Sequence, residues 1–165
     1  MAHDGLEIER KYLLASGPPA ALLARLGARP ILIEQVYLQT TETAPVRRVR
    51  RSVSGGRAVH RYAEKRALGG IVREERETVI DSAEYRRLLK EADPARRPIR
   101  KTRHVFDFAG HTLELDVFEG ALAGLALLEI ELEDEDETAE IPPELGPVED
   151  VSEDPRYLNW NLALR

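Results

Sequence analysis

The chain has 165 residues, 42% of them hydrophobic and 33% charged, enough for one domain over 1–165 with a sizeable core, and no linker-like stretch divides it. It has no cysteine, which excludes disulfides, thiolate catalysis and zinc–thiolate sites. Its net charge of −6, from 30 acidic and 24 basic residues, argues against whole-surface attraction to nucleic acid or an anionic membrane. No run approaches the roughly 18 apolar residues of a membrane span, and the opening MAHDGLEIER has no apolar signal region, so a cytoplasmic protein is expected.

The first predicted element, LEIERKYLL from Leu6, has the period of a strand and places Glu7, Glu9 and Lys11 on one face. A helix follows Pro18 and Pro19, where AALLARLG carries Leu22, Leu23 and Leu26 at helical spacing and stops at Gly27. ILIEQVYLQT, VRRVRRSV, RAVHRYAEK and GIVREERETVI are then strands, with Gly55-Gly56 and Gly69-Gly70 at hairpin positions. DSAEYRRLLKEAD reads as a one-faced helix with a capping-box start, Asp81 standing three residues before Glu84. IRKTRHVFDF, HTLELDVFEG and LALLEIELED complete eight strands, mostly antiparallel by their short connections. EDEDETAE is a solvated acidic loop. In EDPRYLNWNLALR, Asp154 as N-cap and Pro155 at the first position predict a terminal helix.

Same-face charges recur with segregated sign. Acids alternate as Glu75 and Glu77, Glu114 and Asp116, and Glu129 and Glu131. Bases alternate as Arg48 and Arg50, Arg61 and Lys65, and Lys101 and Arg103. Two architectures accommodate this: an open sheet with a polar outer face, or a closed barrel with a charged lumen. Like charges side by side repel, so surface sheets mix their signs, whereas a cavity holding both a metal and a polyanion needs them sorted. Carboxylate oxygens suit magnesium-type cations, and arginine forks with lysine ammoniums suit phosphate. His60, His104 and His111 share no metal-ligand spacing, and neither a nucleophile elbow nor a P-loop is present.

The fragments EIERKYLL, EQVYL, Arg48 to Arg50, Lys65, Glu75 to Glu77, KTR, ELDVFEG, EIELE and DPRYLNWNLA also resemble, in order and over nearly the whole chain, the CYTH domain superfamily, the triphosphate tunnel metalloenzymes. The likeness is to its small stand-alone bacterial members, those similar to inorganic triphosphatases. It implies an α+β fold: an eight-stranded antiparallel β-barrel with flanking helices and a C-terminal helix that closes one end. It implies Glu7, Glu9, Asp116, Glu129 and Glu131 as ligands of Mg2+, with Mn2+ as a substitute, and Arg48, Arg50, Lys65, Lys101 and Arg103 as the triphosphate clamp. Lys11 would touch phosphate or orient a metal-positioned attacking water, with Glu75 and Glu77 as further catalytic carboxylates. Ala63 stands two residues before Lys65, where many relatives carry threonine. The implied activity is hydrolysis of tripolyphosphate. Thiamine triphosphatase, nucleoside triphosphatase, class IV adenylate cyclase and a non-catalytic polyphosphate-binding module are the alternatives, and a homodimer is left open. Removing these seven acids and six bases from the totals leaves 23 acids and 18 bases elsewhere, an acidic exterior that disfavours RNA as a substrate.

Overall fold

The computed structural model describes residues 5–165, so the start of MAHDGLEIER, on which the expectation of no signal region rests in part, lies outside the described residues. Nine strands occur among those described: β1 (Leu6–Leu14), β2 (Arg29–Tyr37), β3 (Val46–Ser54), β4 (Arg57–Gly69), β5 (Val72–Ile80), β6 (Ile99–Phe108), β7 (His111–Phe118), β8 (Ala126–Leu132) and β9 (Val148–Asp150). Their order is β5-β4-β3-β2-β6-β7-β8-β1-β9, and β1 also pairs with β5, so the first eight strands close into an antiparallel barrel. The seam is short. β1 meets β5 only over Leu6 to Ile8, and β9 then pairs with Tyr12 to Leu14. The sequence reading had not included β9, whose three residues are too few to show a period.

Turn chemistry fixes the hairpins. Gly55 and Gly56 have φ of 55° and 75°, the double positive φ of a tight two-residue connection between β3 and β4. The α-helices are α1 (Ala20–Arg25), α2 (Ser82–Leu88) and α3 (Asn159–Leu162). Asp81 caps α2 by accepting from the Glu84 amide at 2.8 Å, as the capping-box spacing implied. α2 is shorter than its sequence pattern, tightening into a 3₁₀ turn at Leu89–Glu91.

The barrel is apolar on its outside. Leu115, Leu128 and Ile130 are fully buried on the outer wall of β7 and β8, beneath Leu23 of α1, Leu26 just after it, and Ile141 and Leu145 of the segment after β8. Across the molecule, Val36, Leu38 and Val49 are covered by Tyr85 and Leu88 of α2. Each such side chain stabilises the fold by roughly 1.5–3 kcal/mol. With both helices outside, the charged positions of the same strands face inward, because successive strand residues alternate.

One apolar cluster does lie inside. Tyr37, Ile99, Phe118 and Leu127 meet Val151, Leu162 and Ala163 of the C-terminal segment. That segment was expected as one helix from Asp154. It forms instead a 3₁₀ turn at Pro155–Tyr157, capped by Asp154, then an extended Leu158 with ψ of 131°, then the single turn of α3. The extended residue carries the chain across the barrel end. No helix among the described residues is long and apolar enough to cross a membrane.

Candidate active site

The lumen is a cavity of about 610 Å³ lined by alternate residues of the barrel strands. Glu7, Glu9 and Lys11 enter from β1, Arg48 and Arg50 from β3, Lys65 from β4 and Glu75 and Glu77 from β5. Lys101 and Arg103 enter from β6, Glu114 from β7 and Glu129 and Glu131 from β8. In the ring order, basic β3, β4 and β6 stand halfway round from acidic β8, β7 and β5 respectively. The segregation of sign seen in the sequence is therefore a segregation of walls.

Most of these charges are paired. Lys65 contacts Glu7 and lies 3.0 Å from Glu75, which also accepts from Arg48 at 2.9 Å. Glu129 sits 3.3 Å from the Lys11 ammonium and accepts from Arg103 at 2.9 Å. Burial pushes the Glu129 carboxyl up, but Lys11 and Arg103 outweigh it and hold it well below the usual range. Glu77 lies 3.2 Å from Arg61 and 3.7 Å from Arg48.

Asp116 was expected among the metal ligands, but it does not line the cavity. It is fully buried behind the lumen, taking Lys101 at 2.6 Å and Arg103 at 2.7 and 2.8 Å. With both oxygens engaged by cations, it anchors two phosphate-binding candidates. The cavity carboxylate of that strand is Glu114, which contacts Arg103 and whose carboxyl burial pushes up. The alternation of Glu114 with Asp116 was visible in the sequence, but it could not tell which of the two stands nearer the lumen. Sequence reasoning also missed Asn159, which lines the cavity with Leu158 and Trp160, because a predicted helix gave no reason for an extended crossing.

Gln35 donates to the Tyr37 hydroxyl at 2.8 Å, and Trp160 packs edge-on against Tyr37 with centroids 5.1 Å apart. Of the histidines, His60 stacks on Tyr85 at 4.5 Å, away from the lumen, and His111 pairs with Glu137 at 2.8 Å at the cavity's edge.

Three lumen residues stand apart. Glu9 and Glu131 are register partners on β1 and β8, and neither has a cationic partner within ion-pair distance among the described residues. Burial, and then the neighbouring Glu129 charge, push the Glu9 carboxyl up to about 7. Opposite them, Arg50 has no anionic partner within ion-pair distance among the described residues, its Nε is buried without a hydrogen bond, and burial beside Arg48 and Arg103 lowers it to about 10. Among the described residues no three acidic or histidine side chains already form a metal cage, since several carboxylates lean onto lysine or arginine. Two facing carboxylates without a cation nevertheless form a donor set that fits a hard divalent ion, with Glu7 and Glu129 two residues away on the same strands. The lumen thus presents an unmet demand for a cation on one wall and for an anion on the other.

The chain is similar along nearly its whole length to known proteins. The inorganic triphosphatase of Nitrosomonas europaea is 35% identical over 161 residues, covering 96% of this chain and 97% of that protein. The inorganic triphosphatase of Acetivibrio thermocellus is 34% identical over 160 residues, covering 96% and 94%. A crystal structure of an inorganic triphosphatase superposes with a TM-score of 0.60 at 31% identity, over 96% of this chain and 95% of that one. The CYTH domain matches residues 5–147, from before the first glutamate of β1 to the edge of β9, and the chain belongs to the CYTH domain family.

Proposed function

We propose that this protein hydrolyses inorganic tripolyphosphate to pyrophosphate and orthophosphate with Mg2+, or Mn2+ in its place. The observation that carries this reading is the pairing of an unpartnered Arg50 with the unpartnered Glu9 and Glu131 across one lumen, in a chain similar along its length to proteins named inorganic triphosphatase. Arg48, Arg50, Lys65, Lys101 and Arg103 would hold phosphate oxygens, and Lys11 would reach the same anion from β1. Glu7, Glu9, Glu129 and Glu131 would hold the cation, which when bound supplies positive charge against phosphoryl oxygens.

Glu75 is committed to Lys65 and Arg48, and although burial pushes its carboxyl up, those two cations bring it below its ordinary value, which suits positioning better than taking a proton. Glu77, farther from Arg48 and exposed, with Arg61 at 3.2 Å as its nearer cation, is the better placed of the two to orient water. Direct attack by water is the route of choice: among the described residues the lumen lining holds no serine or cysteine, and its one threonine, the exposed Thr112, donates its hydroxyl to Asp107 at 2.7 Å, away from the cationic wall that would hold phosphate. Leu158 and Trp160 at one end favour a compact inorganic anion over one carrying a nucleoside or thiamine.

The test is phosphate release by purified protein with magnesium on tripolyphosphate, thiamine triphosphate, ATP and longer polyphosphate. Fastest turnover of tripolyphosphate supports the reading. Preference for an organic triphosphate overturns the substrate, and tight binding of all of them without release overturns the enzyme.

A further inference from the structure

An ammonium has three N–H donors, and the structure places two oxygen partners beside each of two lumen lysines. Lys11 Nζ lies 3.3 Å from a Glu129 oxygen and donates to the Tyr157 carbonyl at 3.3 Å. Lys101 Nζ donates to Asp116 at 2.6 Å and to Asn159 Oδ1 at 3.4 Å. In both cases one acceptor is a wall carboxylate and the other comes from residues 157 to 159. The balance is delicate for Lys101, which is 2% exposed and has a fully buried carboxylate as its stronger partner. Without a second acceptor, the ammonium would turn wholly toward Asp116 and away from the cavity.

Asn159 is held where it can serve as that acceptor. The extended Leu158 brings it over the barrel end, and Leu162 and Ala163 anchor the next turn in the inner apolar cluster. Arg96 stacks on the Trp160 ring at 3.2 Å and donates to the Trp160 carbonyl at 3.0 Å, and the Arg97 amide donates to the Ala163 carbonyl at 2.8 Å.

We propose that Asn159 is a positioning residue: its side-chain oxygen balances the pull of Asp116 on Lys101, so that the third ammonium N–H points at phosphate in the lumen. This rests on the reading of the lumen as a triphosphate site. The C-terminal segment then serves the site chemically as well as filling its end.

Binding of tripolyphosphate by calorimetry, with divalent ions chelated, tests this apart from turnover. Asn159→Leu keeps the volume and removes the acceptor, and Asn159→Ala is the second variant should leucine disturb folding. Either should raise the Kd about tenfold, as expected for losing a hydrogen bond that orients a charged group. In a Lys101→Ala background the same substitution should cost nothing further, because two residues acting through one contact are not additive. Wild-type affinity in the Asn159 variants overturns the proposal, as do losses that add in the double variant, which would mark Asn159 as merely structural. A gain confined to longer polyphosphates overturns it too, reducing Asn159 to a stopper. If the unaltered protein does not bind tripolyphosphate, the functional reading itself fails and the proposal falls with it.

Discussion

Glu9, Glu131 and Arg50 are lumen residues without an opposite-charge partner within ion-pair distance among the described residues, and of these Glu9 and Arg50 give the sharpest expectations. Glu9→Gln should abolish most turnover at limiting magnesium while the far-UV dichroism stays native, since volume is conserved and charge is not. Its stability effect has a definite sign. The folded Glu9 carboxyl sits at about 7 against an ordinary 4.5, so the native state binds more protons than the unfolded one between those values, and stability falls as pH rises through that window. Without divalent ions, Glu9→Gln should therefore gain on the wild type between about pH 5 and 7. The gain should be on the order of 1–3 kcal/mol, read from urea midpoints at each pH. A parallel pair of pH curves would show that Glu9 is already satisfied. Arg50→Ala should raise KM for tripolyphosphate roughly tenfold or more with a smaller change in kcat, because a phosphate clamp acts on the anion. An unchanged KM would remove Arg50 from the anion site.

At the scale of elements, strands were legible where a two-residue period ran for seven or more residues, so β1 and β6 fall where the alternation placed them. β9 was not legible, because three residues between a proline-rich stretch and a turn carry no period, and its pairing with β1 is a tertiary event. The C-terminal segment was legible as a docked element with an Asp154 cap. Its break at Leu158 was not, because no local breaker residue marks it and the contacts that hold the next turn, Arg96 on Trp160 and Leu162 in the inner cluster, are tertiary. Trp160→Ala would remove the ring that meets both Tyr37 and Arg96. It should cost about 2 kcal/mol of stability and raise turnover of longer polyphosphates relative to tripolyphosphate. A uniform fall across chain lengths would assign Trp160 to stability alone.

For the whole molecule, the charges were legible as a set and less so one by one. Sorting by sign favoured a cavity-facing set over the polar outer face of an open sheet, but which carboxylates are spent on neighbouring cations depends on cross-barrel distances, as Glu114 and Asp116 illustrate. The lumen taken together should respond to its ligand more than the exterior does. A divalent cation at about a hundredfold its Kd should stabilise the protein by about 2.7 kcal/mol, raising Tm by roughly 5–10 °C in a scanning measurement. Glu9→Gln should blunt that rise.

The seam carries a last consequence. β2 to β5 and β6 to β8 are meanders whose neighbours follow one another in the chain, whereas β1 leaves the ribosome before them all and finds its partners in β5, β8 and β9. Its place in the sheet is vacant until most of the protein has been made. Non-local closure of this kind slows folding, and until it happens the glutamates and arginines of the inner face stay hydrated on an open, curved sheet. The growing chain thus keeps the charged positions of its inner face toward water until β1 is seated, and inward charges on an open sheet disfavour its edge-to-edge association with another chain.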